Sequence, residues 1–114
     1  MHELGITQEI VALAESRAGG RRVRGVVVEI GKLTAVLPDA VRFCFDLCTK
    51  GTLVEGAVLT IVETLGSARC LACGSVLQLD QPFGQCPCGC TDLDWLTGEE
   101  LRITEIEIEL EETS

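Results

Sequence analysis

Residues 67–96 constrain this chain more than any other stretch. They hold five of its seven cysteines (Cys70, Cys73, Cys86, Cys88 and Cys90) together with Gly74, Pro82, Gly84, Pro87 and Gly89. Apolar side chains are too sparse here for an independent core, so such a lobe needs a staple. The odd cysteine count, with no basic-then-apolar leader ahead of it, argues against a secreted disulfide framework. Close-spaced thiolates in a reducing cytoplasm point to metal instead.

Cys70-Leu71-Ala72-Cys73-Gly74 is a C-x-x-C-G knuckle, in which two thiolates face one metal and the glycine permits the turn behind them. The second half, Cys86-Pro87-Cys88-Gly89-Cys90, is tighter than the usual C-x-x-C. Cys86 with Cys88, Cys88 with Cys90 and Cys86 with Cys90 are all available bites. Cys86 and Cys88 are favoured, because Pro87 and Gly89 reproduce a C-P-x-C-G turn shortened by one residue. Cys90 is then left over or serves as an alternate ligand. A four-cysteine set around Zn(II) supplies folding free energy and leaves no open position for water, so this metal is expected to be structural.

The flanking sequence reads as one small α/β unit, and 46% hydrophobic residues suffice for its core. Thr7 is expected to cap a helix running to Arg17, with Ile6, Ile10, Leu13, Ala14 and Arg17 at helical spacing and Gly19-Gly20 stopping it. Residues 22–31 alternate as a strand, Val26, Val28 and Ile30 on one face and Val27 and Glu29 on the other. A second helix is expected from Pro38 to Thr49, with Val41, Cys44, Phe45 and Cys48 as its stripe. Cys44 and Cys48 stand at a spacing that can chelate, but core burial is the stronger reading for such thiols. Gly56 to Leu65 is a second strand. Glu105, Glu107 and Glu109 alternate with Ile106, Ile108 and Leu110 in a third.

The expected architecture is therefore α/β: a small three-stranded antiparallel sheet with two helices on one face, plus an inserted zinc-ribbon lobe held by four cysteines. Residues 1–66 and 98–114 form the α/β domain and 67–97 the zinc-binding lobe. The net charge of −9, most of it in the last sixteen residues, leaves no basic footprint for nucleic acid. No apolar run approaches the ~20 residues of a membrane span. A metallohydrolase would need an open metal with a general base beside it, which the sequence does not place, and the chain is not expected to be an enzyme.

The chain's one histidine is His2, in Met1-His2-Glu3. An α-amino group, the next amide nitrogen and an imidazole can close adjacent chelate rings, and such planar nitrogen arrays suit Ni(II) or Cu(II). Bulky His2 is expected to keep Met1, and hence its amine, in place. Read apart from the rest, His2 is an incidental terminal residue and the chain a zinc-ribbon protein-interaction adaptor without metal delivery.

Met-His-Glu at the start, a strand ending in Ile30-Gly31, the Phe43-Cys44-Phe45-Asp46-Leu47 helix, the C-x-x-C lobe and the final Glu-Leu-Arg-Ile-x-Glu-Ile-Glu-Ile-Glu strand together resemble the hydrogenase nickel-incorporation proteins (HypA/HybF). The resemblance covers essentially the whole chain. It implies a nickel metallochaperone for maturing [NiFe]-hydrogenase, with urease as a second setting. It maps nickel ligation by the terminal amine, imidazole and backbone amides onto Met1, His2 and Glu3, with Leu4 as an alternative backbone contributor and the Glu3 side chain open either to ligation or to orienting a partner. It maps a structural zinc onto Cys70, Cys73 and a pair from the 86–90 cluster. The implied partners are the GTPase of the same pathway and the hydrogenase large subunit as recipient, in the cytoplasm. A homo-oligomer is compatible with the sequence.

Overall fold

The computed structural model describes residues 3–110. Two helices and two small three-stranded sheets make up the fold, as expected for an α/β chain carrying a cysteine lobe. Helix α1 spans Glu3–Arg17, strand β1 Val23–Gly31, and a short 3-10 turn Lys32–Thr34 precedes helix α2, Pro38–Cys48. Strands β2 (Val58–Thr64), β3 (Gly66–Cys70), β4 (Val76–Leu79), β5 (Leu93–Thr97) and β6 (Leu101–Ile108) follow. One sheet has the order β2-β1-β6 and the other β4-β3-β5.

Strand β1 behaves as its alternation demands. Val26, Val28 and Ile30 are buried, whereas Val27 and Glu29 are half-buried. It is the central strand of its sheet. Strand β6 runs antiparallel to it, since Glu109 N donates to Arg22 O at 2.8 Å and Gly31 N to Glu100 O at 2.7 Å. The glutamate face of β6 is exposed and Ile106 and Ile108 are half-buried. Leu110, expected on the covered face, is 74% exposed.

Helix α1 starts at Glu3, four residues before the cap expected at Thr7. The Thr7 side chain is buried and satisfies its hydroxyl by donating back to Glu3 O at 2.6 Å, so it sits inside the helix rather than at its end. The buried stripe is Thr7, Ile10, Val11 and Ala14, with Ala18 buried just past the helix, and Leu13 is 49% exposed. In α2, Val41 and Phe45 are buried as the periodicity requires, and Pro38 occupies the first turn. Cys44 and Cys48 are half-buried rather than core.

The chain divides into two compact units. One combines Glu29–Val36 with Glu63–Leu101, and the other takes the rest of the described residues, including both helices. In the former, β3 pairs antiparallel with both β4 and β5, with a bulge between Ser67 and Ala68. Its core is Leu33, Ala68 and Leu79, with Leu77 and Leu93 packed against it. Leu33 comes from the 3-10 turn after β1, far from the cysteines in sequence.

Candidate metal centre

Strand β3 delivers Cys70 at its end. Gly74 N then donates to Cys70 O at 2.9 Å and Cys70 N to Ser75 O at 2.8 Å, closing the first knuckle. The second knuckle closes the same way: Gly89 N donates to Cys86 O at 2.8 Å and Cys86 N to Cys90 O at 2.9 Å. Gln85 Nε2 reinforces it with a 2.8 Å bond to Gly89 O. Gly74 (φ 77°) and Gly89 (φ 98°) both adopt the left-handed backbone that such turns need.

The two turns bring the Sγ atoms of Cys70, Cys73, Cys86 and Cys88 within 4.8 Å of one another. Cys70 and Cys88 sulfurs are 3.6 Å apart, and those of Cys73 and Cys86 3.5 Å. A tetrahedral metal with bonds of about 2.3 Å to sulfur sets its ligands about 3.8 Å apart, so the donor set fits zinc closely. Cys70 and Cys86 are buried, Cys73 and Cys88 exposed. Cys90 is not in the cluster; its sulfur accepts Asp92 N at 3.3 Å. Among the described residues no other group of three or more His, Cys, Asp or Glu converges in this way.

Four thiols this close cannot all ionise without a cation to share, and they split. The hydroxyl and the backbone N–H of Ser75, with the Cys86 and Cys70 thiols, pull Cys73 down to about 6. Cys70 is lowered, chiefly by the backbone N–H of Cys73, against its own burial. Cys86 receives the backbone N–H of Cys88, which lowers it, yet burial and the neighbouring thiols push it up to about 12. Cys88 likewise receives the Cys90 N–H and the Cys86 thiol but is raised on balance by Cys70, burial and Cys73. A divalent cation would relieve this frustration by making all four thiolates favourable. Ser75 belongs to no motif of its own, although a serine directly after C-x-x-C-G is a readable hydrogen-bond donor.

Cys44 and Cys48 neighbour each other on α2, where burial and then Cys44 raise the Cys48 thiol. They join no larger ligand group among the described residues. Of the expected nickel residues, Met1 and His2 lie outside the described residues. Glu3 opens α1; its carboxylate accepts Leu37 N at 3.2 Å. Glu3 and Leu37 are 34 positions apart, and no local signal joins them.

A family model described as hydrogenase/urease nickel incorporation, metallochaperone, hypA matches residues 1–108. The hydrogenase maturation factor HypA of Trichormus variabilis is 58% identical over 109 residues, covering 96% of each chain. That of Nostoc punctiforme is 59% identical with the same coverage. The solution structure of the Ni metallochaperone HypA from Helicobacter pylori superimposes with a TM-score of 0.69 at 26% identity, over 97% of this chain and 100% of that one. The chain belongs to the hydrogenase/urease nickel-incorporation metallochaperone family.

Its role is accordingly in hydrogenase maturation, alongside the rest of the maturation machinery. No described helix is long and apolar enough to cross a membrane.

Proposed function

We propose that the chain carries Ni(II) at its N-terminus and delivers it during maturation of [NiFe]-hydrogenase, and of urease in cells that make one. The ligands are the Met1 amine, the His2 imidazole and backbone amide nitrogen that includes Glu3. One observation carries the reading: the family match begins at residue 1, so it takes in Met1-His2-Glu3 as well as the cysteine lobe. A planar nitrogen set suits Ni(II), and a partner offering better ligands can take the ion over. An adaptor without metal delivery leaves that matched terminus without a purpose.

Zn(II), held by Cys70, Cys73, Cys86 and Cys88, is the structural cofactor in this reading. Bound there, it would offset two of the four thiolate charges and tie the two knuckles together. With every position filled by sulfur, it offers no site for substrate, consistent with a carrier rather than an enzyme. Residues 1–66 with 98–114 handle nickel and 67–97 hold zinc. The partners are the GTPase of the nickel-insertion pathway and the hydrogenase large subunit, in the cytoplasm, and self-association into a homo-oligomer fits the same role.

Nickel titration of untagged protein tests the terminal site. Nickel binding should be lost in His2→Ala and in a chain extended ahead of Met1. Retention of parental affinity in either places the site elsewhere. X-ray absorption on the loaded protein should find sulfur around zinc and nitrogen or oxygen around nickel.

A further inference from the structure

Helical periodicity puts Cys44 and Cys48 on the packed stripe of α2, yet neither thiol is core. Both are free and half-buried, while Val41 and Phe45 of the same helix are fully covered. The pair takes no part in the four-sulfur cluster. Neither core packing nor metal delivery accounts for two thiols left at the edge of this helix.

The two stand at i and i+4, so their Cβ atoms share one face about 5–6 Å apart. Two metal–sulfur bonds of about 2.3 Å laid end to end hold their sulfurs about 4.6 Å apart. Side-chain rotation alone brings cysteines one turn apart to that separation. The thiols already feel each other, because burial first and then the charge of Cys44 raise the Cys48 thiol. A shared cation removes the conflict. Cys48 is also the last residue of α2, where the negative end of the helix dipole disfavours a bare thiolate and favours a cation.

The surroundings select the kind of cation. Cys48 lines a groove between α1 and α2 together with Leu4, Val11, Ala12 and Leu47. The carboxylate on that groove, Glu15, already accepts Leu53 N at 2.7 Å. Among the described residues no third His, Cys, Asp or Glu converges on the pair. Planar Ni(II) and tetrahedral Zn(II) each call for four donors. Two thiolates beside an apolar groove suit a soft ion that is content with two ligands, and among biological metals that is Cu(I).

We propose that Cys44 and Cys48 form a two-coordinate thiolate site for Cu(I) on helix α2, separate from the four-cysteine cluster. Binding breaks two S–H bonds, releases both protons to solvent and forms two S–Cu bonds, and copper keeps its oxidation state. The site stands whether or not nickel binds at the N-terminus.

The test titrates zinc-loaded protein with Cu(I), without oxygen, against a chromophoric Cu(I) chelator. One equivalent should bind while zinc stays in place, and X-ray absorption should find two sulfurs around the copper. Losing either thiol removes the chelate, so C44S and C48S should each weaken binding about a hundredfold or more. The double variant should fall little below either single one. Parental affinity in either single variant overturns the proposal. So does a first equivalent that displaces zinc, which places copper in the cluster instead.

Alkylation mapped by mass spectrometry needs no substitution, and it decides the matter if circular dichroism shows that the serine variants have lost helix. In the zinc-loaded parent, Cys44 and Cys48 should react with iodoacetamide, and one equivalent of Cu(I) should protect both together. Cys90, also half-buried and outside the cluster, should stay reactive throughout. Protection of neither thiol, or of only one of the pair, overturns the site.

Discussion

Gly98 and Gly66 meet backbone to backbone: a Cβ on Gly98 would lie 2.5 Å from Gly66 Cα, at φ +106°, with Leu33 Cγ only 2.8 Å away. Gly98→Ala thus meets backbone strain, on the order of 1–3 kcal/mol, with steric overlap added. A lower Tm and easier zinc loss to a chelator are expected. Gly5→Ala is the control. It lies inside α1 with nothing within 4 Å of its Cβ, and should stabilise by roughly 0.5–1 kcal/mol.

The two phenylalanines of α2 should behave oppositely. Phe45 is 3% exposed and Phe43 69%. Urea unfolding should show Phe45→Ala costing about 3–5 kcal/mol. Phe43→Ala should stay within about 0.5 kcal/mol.

Cys88 and Cys90 are separated by one glycine, yet only Cys88 shares the sulfur cluster. Metal analysis after purification should find zinc depleted in Cys88→Ser and undiminished in Cys90→Ser. Equal loss in both would mean that Cys90 contributes a ligand.

Zinc uptake should release fewer than four protons per ion near pH 7.5, because Cys73, at about 6, is already a thiolate. Cys86, pushed up to about 12, holds its proton at any workable pH until zinc displaces it. As pH falls below about 6, Cys73 also binds a proton in the metal-free protein. The number released then rises toward four and affinity drops. Calorimetry in buffers of different ionisation enthalpy measures the count directly.

Much of this was legible in the sequence, and for identifiable reasons. Strand β1 was readable because Val26, Val28 and Ile30 alternate without interruption, and period-two burial has a single interpretation. Helix α1 was readable as a helix but not in its phase. Apolar residues surround it on several sides, so Ile6 and Leu13 compete with Val11 for the inner stripe. Thr7 looked like a cap because its hydroxyl suits one; inside the helix the same hydroxyl finds Glu3 O. The second sheet was not read as a sheet, since Gly66–Cys70 carries almost no β-pattern and is fixed by partners at Val76–Leu79 and Leu93–Thr97. The cysteine pairing left three options in sequence, and the turn at Gly89 groups Cys86 and Cys88 with the first knuckle while aiming Cys90 at Asp92. The Glu3–Leu37 bond spans two helices and had no local signature.

Leu33 gives the cysteine-bearing sheet a dependence on chain far outside it. A peptide of residues 63–101 would contain every thiol of the cluster and all of β3, β4 and β5, yet its interior would have a vacancy against Ala68 and Leu79. Supplying residues 29–36 as a second peptide offers a way to fill it, and complementation between the two fragments would show how far zinc alone can organise the lobe.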